Sequence, residues 1–266
     1  MFKDAERGFT LVELSIVLVI IGLLIGGILV AQSMIGTAKV TASVKLLQQF
    51  DIAVSNFQTQ YNSLPGDSAL FQGNGDGLIA DSYCLSFPDN AYCNNGFYGE
   101  IGSFWHDLST SGLKTSSGGD YQNAFGGGTI KGFGPTQNVP NLPIGKNTVV
   151  VAFAQQYNGS PKYPKNLYQL GIENMQIGTF AGNVGSLMPA EALAIDSKID
   201  DGKPWGGFVT SAMIGGVGEL GAGAWGSANT CAGGTVYPDS SAHYDVTNNA
   251  SICSLAIEIG GIAGTN

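Results

Sequence analysis

Charged side chains are scarce in this 266-residue sequence. They make up 12% of the residues, against about 25% in an average soluble domain, and Arg7 is the single arginine. The 11 basic and 20 acidic residues give a net charge of −9, which repels phosphate groups. We therefore expect neither a nucleic acid nor an anionic membrane surface to be the main ligand.

Signals of catalysis are equally few. The two histidines, His106 and His243, lie far apart in the sequence, and the four cysteines contain no Cys-x-x-Cys pair, which argues against a zinc site. The sequence has neither a G-x-S-x-G nucleophile elbow nor a phosphate-binding P-loop. We predict that the chain is not an enzyme and requires no cofactor.

An apolar run near the N-terminus is the strongest signal that the sequence does have. No side chain between Glu13 and Lys39 is charged, and residues 14–31 read LSIVLVIIGLLIGGILVA. This run is long enough to span a bilayer, and it exceeds the about 7–15 apolar residues of a secretory signal peptide. We predict a transmembrane helix over residues 9–36.

The helical pattern continues beyond the apolar run. Apolar residues recur at intervals of three and four, which is typical of an amphipathic helix; they are Val40, Val44, Leu47, Phe50, Val54, Phe57 and Tyr61. Pro65 is the first proline. We therefore expect residues 37–63 to form the amphipathic half of the same helix.

A globular head is predicted for residues 64–266, where short apolar runs alternate with Gly, Asn and Ser. The runs predict strands, and two stretches with helical periodicity predict helices. The strands are 147–155, 166–172, 207–214 and 254–259, and the helices are 99–113 and 188–200. The expected fold is α+β, with a long N-terminal helix and a head built on an antiparallel sheet.

The first residues, MFKDAERG followed by FTLVELSIVLVIIGLLIGG, closely resemble the type III signal sequence of type IV pilins and type II secretion pseudopilins. The resemblance is strong over residues 1–60 and thins to architecture beyond them. It implies that residues 1–8 are a leader peptide, which a prepilin peptidase removes by cutting after Gly8. The same enzyme would then methylate the new terminal amine of Phe9.

The resemblance also gives Glu13 a role in assembly. In that family, the matching carboxylate pairs with the methylated amine of a neighbouring subunit. A carboxylate inside a membrane helix costs about 2.5–3.5 kcal/mol on insertion scales and persists where it has a partner, so the physical argument agrees. The alternative is that Glu13 only marks the edge of the membrane.

Three glycines interrupt the apolar run, and two interpretations of them stay open. Gly22 and Gly26 form a small-xxx-small pair that favours close helix packing in a membrane. Glycine also weakens a helix by up to about 1 kcal/mol relative to alanine, so Gly22, Gly26 and Gly27 could let the helix melt, as in related filaments.

The resemblance implies a structural subunit of a homo-oligomeric helical filament, with a prepilin peptidase and an inner-membrane assembly platform as its partners. The chain would lie in the inner membrane before assembly and in an extracellular or periplasmic filament afterwards. The alternative is a minor pilin or pseudopilin whose head is an adhesin or binding module at the filament tip.

The four cysteines predict two disulfides in a head exported to an oxidising compartment. Three pairings exist, and proximity along the chain favours Cys84–Cys93 and Cys231–Cys253, because short loops close at little entropic cost.

One loop resembles the middle of an EF-hand calcium loop. Asn74 and Asp76 alternate with glycines, and Asp81 follows. The match is partial, because Gln72 stands where the first Asp should be, so Asp67 is expected to supply an outside ligand. The alternative is a hydrophilic turn. A second acidic group is expected to be a helix end that runs into a solvated turn; it contains Asp196, Asp200 and Asp201.

Overall fold

A single helix, α1, runs from Leu11 to Tyr61 in the computed structural model of the chain. The structure describes residues 10–79, 99–112, 139–145, 148–155, 165–172, 185–212, 231–233 and 242–262. The chain divides into two compact units between Lys39 and Val40, here called the N-terminal unit and the C-terminal unit, and each is described by itself.

The described part of the N-terminal unit is the first half of α1. Every side chain from Leu11 to Lys39 is exposed. Within α1, one 18-residue window has a mean hydropathy of 3.0 and no buried residue. Among the described residues, α1 is the one helix long and apolar enough to cross a membrane, which agrees with the expected transmembrane segment.

The second half of α1 belongs to the C-terminal unit and buries one face. The predicted apolar stripe is the buried one, from Val40 to Phe57, and Tyr61 is half-buried at its end. Residues between those of an apolar stripe are expected to face water, but Asp51, which is one of them, is buried. Its two carboxylate oxygens accept the N–H groups of Gly260 and Ile262, each at 3.0 Å. Asp51 thus anchors a distant turn to the helix.

The other described elements all lie in the C-terminal unit. Their bounds are α2 (Gly99–Thr110), β1 (Val149–Gln155), β2 (Lys165–Ile172), α3 (Pro189–Ile199), β3 (Trp205–Gly206), β4 (Val209–Ala212), β5 (Ala232–Gly233), β6 (His243–Tyr244) and β7 (Ser254–Glu258). A short 3-10 helix spans Ala69–Phe71. The predicted α+β fold is confirmed, and the four predicted strands correspond to β1, β2, β4 and β7. His243 lies on β6.

Five strands form one antiparallel sheet in the order β1-β2-β7-β4-β3. Strand β7 is central and pairs with both β2 and β4. Strands β5 and β6 form a separate two-stranded ribbon. The Cys231–Cys253 disulfide is formed and joins the start of that ribbon to the residue before β7. Cys84 and Cys93 lie outside the described residues.

An aromatic cluster joins α1, α2 and the sheet. The predicted apolar face of α2 is buried, and Trp105 on that face lies edge-on to Phe50 of α1, with ring centroids 4.7 Å apart. Trp105 also stacks with Tyr168 of β2 at 6.1 Å. The indole Nε1–H donates to the carbonyl oxygen of Val150 at 3.0 Å, so the one polar atom of this ring is paired.

Candidate functional site

The N-terminus of α1 is capped by reciprocal hydrogen bonds between Thr10 and Glu13. The carboxylate oxygen Oε2 of Glu13 accepts both the backbone N–H and the hydroxyl of Thr10, each at 2.8 Å. The hydroxyl oxygen of Thr10 in turn accepts the N–H of Glu13 at 3.2 Å. This is a capping box, in which two side chains satisfy the N–H groups that a helix start leaves unpaired.

The capping box was missed at the sequence level, although Thr-x-x-Glu before an apolar run is its signature. It gives Glu13 a task within its own helix, and it fixes the carboxylate at the helix end where the macrodipole favours negative charge. Gly8 and Phe9 lie outside the described residues, so the cleavage and methylation sites stay predictions.

The three glycines of the apolar run lie inside the continuous helix α1. A Cβ atom added at Gly22, Gly26 or Gly27 would meet no atom within 4 Å among the described residues. Each position therefore has room for a helix of another subunit to pack against it. Melting and close packing of this segment both stay predictions.

A tightly folded loop, residues 62–79, follows α1 and is here called the post-helix loop. The helix ends where Asn62 adopts a φ of 53°. The carbonyl oxygen of Asp67 then accepts the N–H of Gly75 at 2.8 Å. A Cβ at Gly73 would overlap the carbonyl carbon of Asp67, so only glycine allows this close approach.

Two carboxylates of α2 hold the post-helix loop. Asp107 Oδ2 accepts the N–H of Gly66 at 3.1 Å, and Glu100 Oε1 accepts the N–H of Asn74 at 2.9 Å. Burial raises the pKa of Asp107 to about 6, and hydrogen bonds from His106 and Gly66 offset part of that effect. His106 is thus a hydrogen-bond partner of the buried Asp107 carboxylate on the same helix.

Three carboxylates meet where the post-helix loop contacts α2. Asp67, Asp76 and Glu100 each offer an oxygen, and these three oxygens lie within 4.8 Å of one another. Asp67 and Glu100 are buried, whereas Asp76 is exposed. Burial raises the pKa of Asp67, hydrogen bonds from Gly77 and Ser63 lower it in part, and the charge of Asp76 adds to the increase.

The structure thus brings together two of the residues expected to bind calcium, Asp67 and Asp76. Asn74 adjoins them, because its side-chain amide donates to Asp76 Oδ2 at 2.9 Å. Asp81 lies outside the described residues. Glu100 was not predicted, since no local spacing connects α2 with the loop.

The second acidic group differs from the expected solvated turn. Asp196 is fully buried; it accepts the hydroxyl of Tyr244 at 2.7 Å and the N–H of Gly202 at 3.1 Å. Asp200 accepts the N–H groups of Phe208 and Val209. The expectation was wrong for Asp196, because Tyr244 on β6 covers the end of α3. These hydrogen bonds give the group a structural role.

Replacing Asp196 with Asn is expected to flatten the pH dependence of stability. Burial raises the pKa of Asp196 from 3.8 to about 7, hydrogen bonds from Tyr244 and Gly202 offset part of this, and the charges of Asp200 and Asp201 add to it. The folded chain therefore holds this proton more tightly than the unfolded chain. The resulting stability is fully present below about pH 4 and is lost as the pH rises through about 7.

The size of this effect follows from the pKa difference. One pKa unit is worth about 1.4 kcal/mol, and solvent screening reduces the total to about 1–3 kcal/mol. Asn mimics the protonated carboxyl, so the variant should lose little stability between about pH 4 and pH 7, where wild type loses this contribution. Denaturant unfolding of the full-length protein in detergent measures this. Asp245→Asn, at a half-buried position, is the control, since Asn keeps an oxygen that can accept the N–H of Thr247. If the free energy of unfolding of Asp196→Asn changed with pH as it does in wild type, Asp196 would not be the group responsible.

Comparison with known proteins finds a match at the N-terminus of the chain. Residues 3–29 match the family model described as the prokaryotic N-terminal methylation motif. The chain therefore carries the prepilin signal of type IV pilin-like and pseudopilin proteins. A search of curated proteins finds no match, and a search of solved structures finds none either.

Proposed function

We propose that the chain is a structural subunit of a type IV pilus-like filament. The observation that carries the proposal is the coincidence of the methylation motif at residues 3–29 with a helix whose side chains from Leu11 to Lys39 are all exposed. An exposed apolar helix of this length needs lipid or other helices around it. A bilayer before assembly and a bundle of identical helices afterwards supply both.

The proposed pathway begins with hydrolysis of the peptide bond between Gly8 and Phe9 by a prepilin peptidase in the inner membrane. Removing the leader exposes the amine of Phe9, which is then methylated and stays cationic. The new terminus lies directly before the capped helix start at Thr10 and Glu13. A positive and a negative group thus lie close together in the sequence, at the N-terminal end of each mature subunit.

Electrostatic pairing between subunits determines where each new subunit lies along the filament axis. Lipid tails are as apolar as the helix, so the hydrophobic effect does not drive the helices together inside a membrane. The Phe9 amine of one subunit and the Glu13 carboxylate of the next attract each other strongly in that medium of low dielectric constant. We propose that this pairing sets the axial position of each new subunit on the assembly platform.

Replacing Gly8 with Val is expected to block cleavage while leaving membrane insertion intact, because the added side chain obstructs the peptide bond that must enter the peptidase. The measurement is the intact mass and N-terminal sequence of membrane protein co-expressed with a prepilin peptidase. Wild type should begin at methylated Phe9, and the variant should keep Met1.

Gly36→Val is the matched control for this experiment, since a Cβ at Gly36 meets no atom within 4 Å among the described residues and the position lies outside the matched motif. It should be cleaved like wild type. Surface filaments built from wild-type chains that keep Met1 would contradict the proposed function.

A further inference from the structure

Asp67 has a buried carboxylate oxygen that has no hydrogen-bond partner in the described part of the chain. Its side chain is 2% exposed, and Oδ2 accepts the N–H of Gly77 at 3.1 Å and the hydroxyl of Ser63 at 3.3 Å. Oδ1 accepts no hydrogen bond from any residue that the structure describes. A buried polar atom without a partner is costly, and this one lies in the carboxylate that faces Asp76 and Glu100.

The three carboxylates form an unfavourable group by themselves. Their oxygens lie within 4.8 Å of one another, and like charges at such distances repel. The raised pKa of Asp67 agrees with that repulsion and with its burial. A cation between the three oxygens would turn the repulsion into attraction and would give Asp67 Oδ1 a partner.

The ligand type and the close approach of the oxygens are compatible with Ca²⁺. Ca²⁺ binds about six to eight oxygen ligands at about 2.3–2.6 Å in a flexible geometry. Carboxylate oxygens that lie within 4.8 Å of one another need at most a small adjustment to bind the same Ca²⁺ ion. Mg²⁺ needs distances of about 2.0–2.1 Å in a strict octahedron, and zinc prefers nitrogen and sulfur ligands, so neither fits this set as well.

We propose that Asp67, Asp76 and Glu100 bind one Ca²⁺ ion that fastens the post-helix loop to α2. The exposed carboxylate of Asp76 and a cavity of about 620 Å³, lined in part by Asp67, Gly75 and Gly77, give the ion access from solvent. Water and backbone carbonyl groups complete the coordination shell. The site does not depend on the filament function proposed above.

The bound ion would act on the loop beside the end of α1. That loop is already tied to α2 by the N–H groups of Gly66 and Asn74. Calcium would add a further link, from Asp67 and Asp76 in the loop to Glu100 on α2. Removing calcium is therefore expected to loosen the loop while the sheet stays folded.

Isothermal titration of the full-length protein in detergent with CaCl2 tests the proposal. We expect one site per chain with a dissociation constant of about 10⁻⁴–10⁻³ M and weaker binding of MgCl2. Asp76→Asn should weaken calcium binding about ten-fold or more, because it removes one ligand charge. Asp76 is exposed, and Asn keeps an oxygen that can accept the N–H of Leu78, so this variant should fold.

Glu100→Gln is the second variant, and Gln retains an acceptor for the N–H of Asn74. Asp201→Asn, in the other acidic group, is the matched control and should bind calcium like wild type. Absence of binding by wild type at about 10 mM CaCl2, ten times the weakest expected dissociation constant, would overturn the proposal. So would wild-type affinity in both Asp76→Asn and Glu100→Gln, or a loss of binding in Asp201→Asn alone.

Discussion

Filaments should be almost absent when Glu13 is replaced by Ala, although the variant should still insert into the membrane. The change removes the proposed partner of the Phe9 amine in the neighbouring subunit. Breaking a buried ion pair by deleting one partner costs about 3–5 kcal/mol, which corresponds to a factor of more than about a hundred in the assembly equilibrium. Filament yield in the sheared surface fraction measures assembly, and resistance to alkaline extraction measures insertion.

The capping box allows two roles of Glu13 to be separated. Glu13→Gln removes the charge but keeps an oxygen that can accept from Thr10, because Gln also completes a capping box. Thr10→Ala removes the cap at a cost of about 0.5–2 kcal/mol and keeps the charge. If pairing between subunits matters, Gln should fail like Ala, and Thr10→Ala should still assemble. Normal yield from Glu13→Gln would instead assign Glu13 to helix capping alone.

Replacing Trp105 with Ala is expected to lower the free energy of unfolding of the C-terminal unit by about 3–5 kcal/mol. Trp105 is 1% exposed and contacts Phe50 and Tyr168, so its loss separates α2 from both α1 and the sheet. The carbonyl of Val150 also loses its indole donor. A cost of this size is a large part of the total stability of a domain.

Pulse proteolysis of the full-length protein in urea measures this loss, because the protease cuts only unfolded chains. Leu70→Ala is the control, since Leu70 is 76% exposed and its truncation should change stability by less than about 0.5 kcal/mol. Trp105→Phe should lie between the two, because it keeps aromatic packing and loses the hydrogen bond. Equal stability of Trp105→Ala and wild type would show that α2 is not part of the core.

The features that the sequence predicted well depend on local patterns. The apolar stripe from Val40 to Phe57 follows helical periodicity, and the four long strands are bounded by turn residues. Pro189 in the first turn of α3 is another local signal, and Glu191 in the same turn accepts the N–H of Met188 at 2.9 Å. Such patterns report which face of an element is buried.

The features that were missed depend on contacts between distant parts of the chain. Asp51 looked like a solvent-facing residue because its partners, Gly260 and Ile262, are more than two hundred positions away. Asp196 and Glu100 were missed for the same reason, since their burial depends on β6 and on the post-helix loop. A buried carboxylate is recognisable only from the N–H and O–H groups that the fold brings to it.

The central place of β7 in the sheet has a consequence for biosynthesis. Strands β2 and β4 do not pair with each other; both pair with β7, which is the last of the described strands to leave the ribosome. The five-stranded sheet therefore cannot close until residues 254–258 have been made. Long-range pairing of this kind folds slowly, so a chain interrupted before β7 would leave two strand edges unpaired and open to proteases.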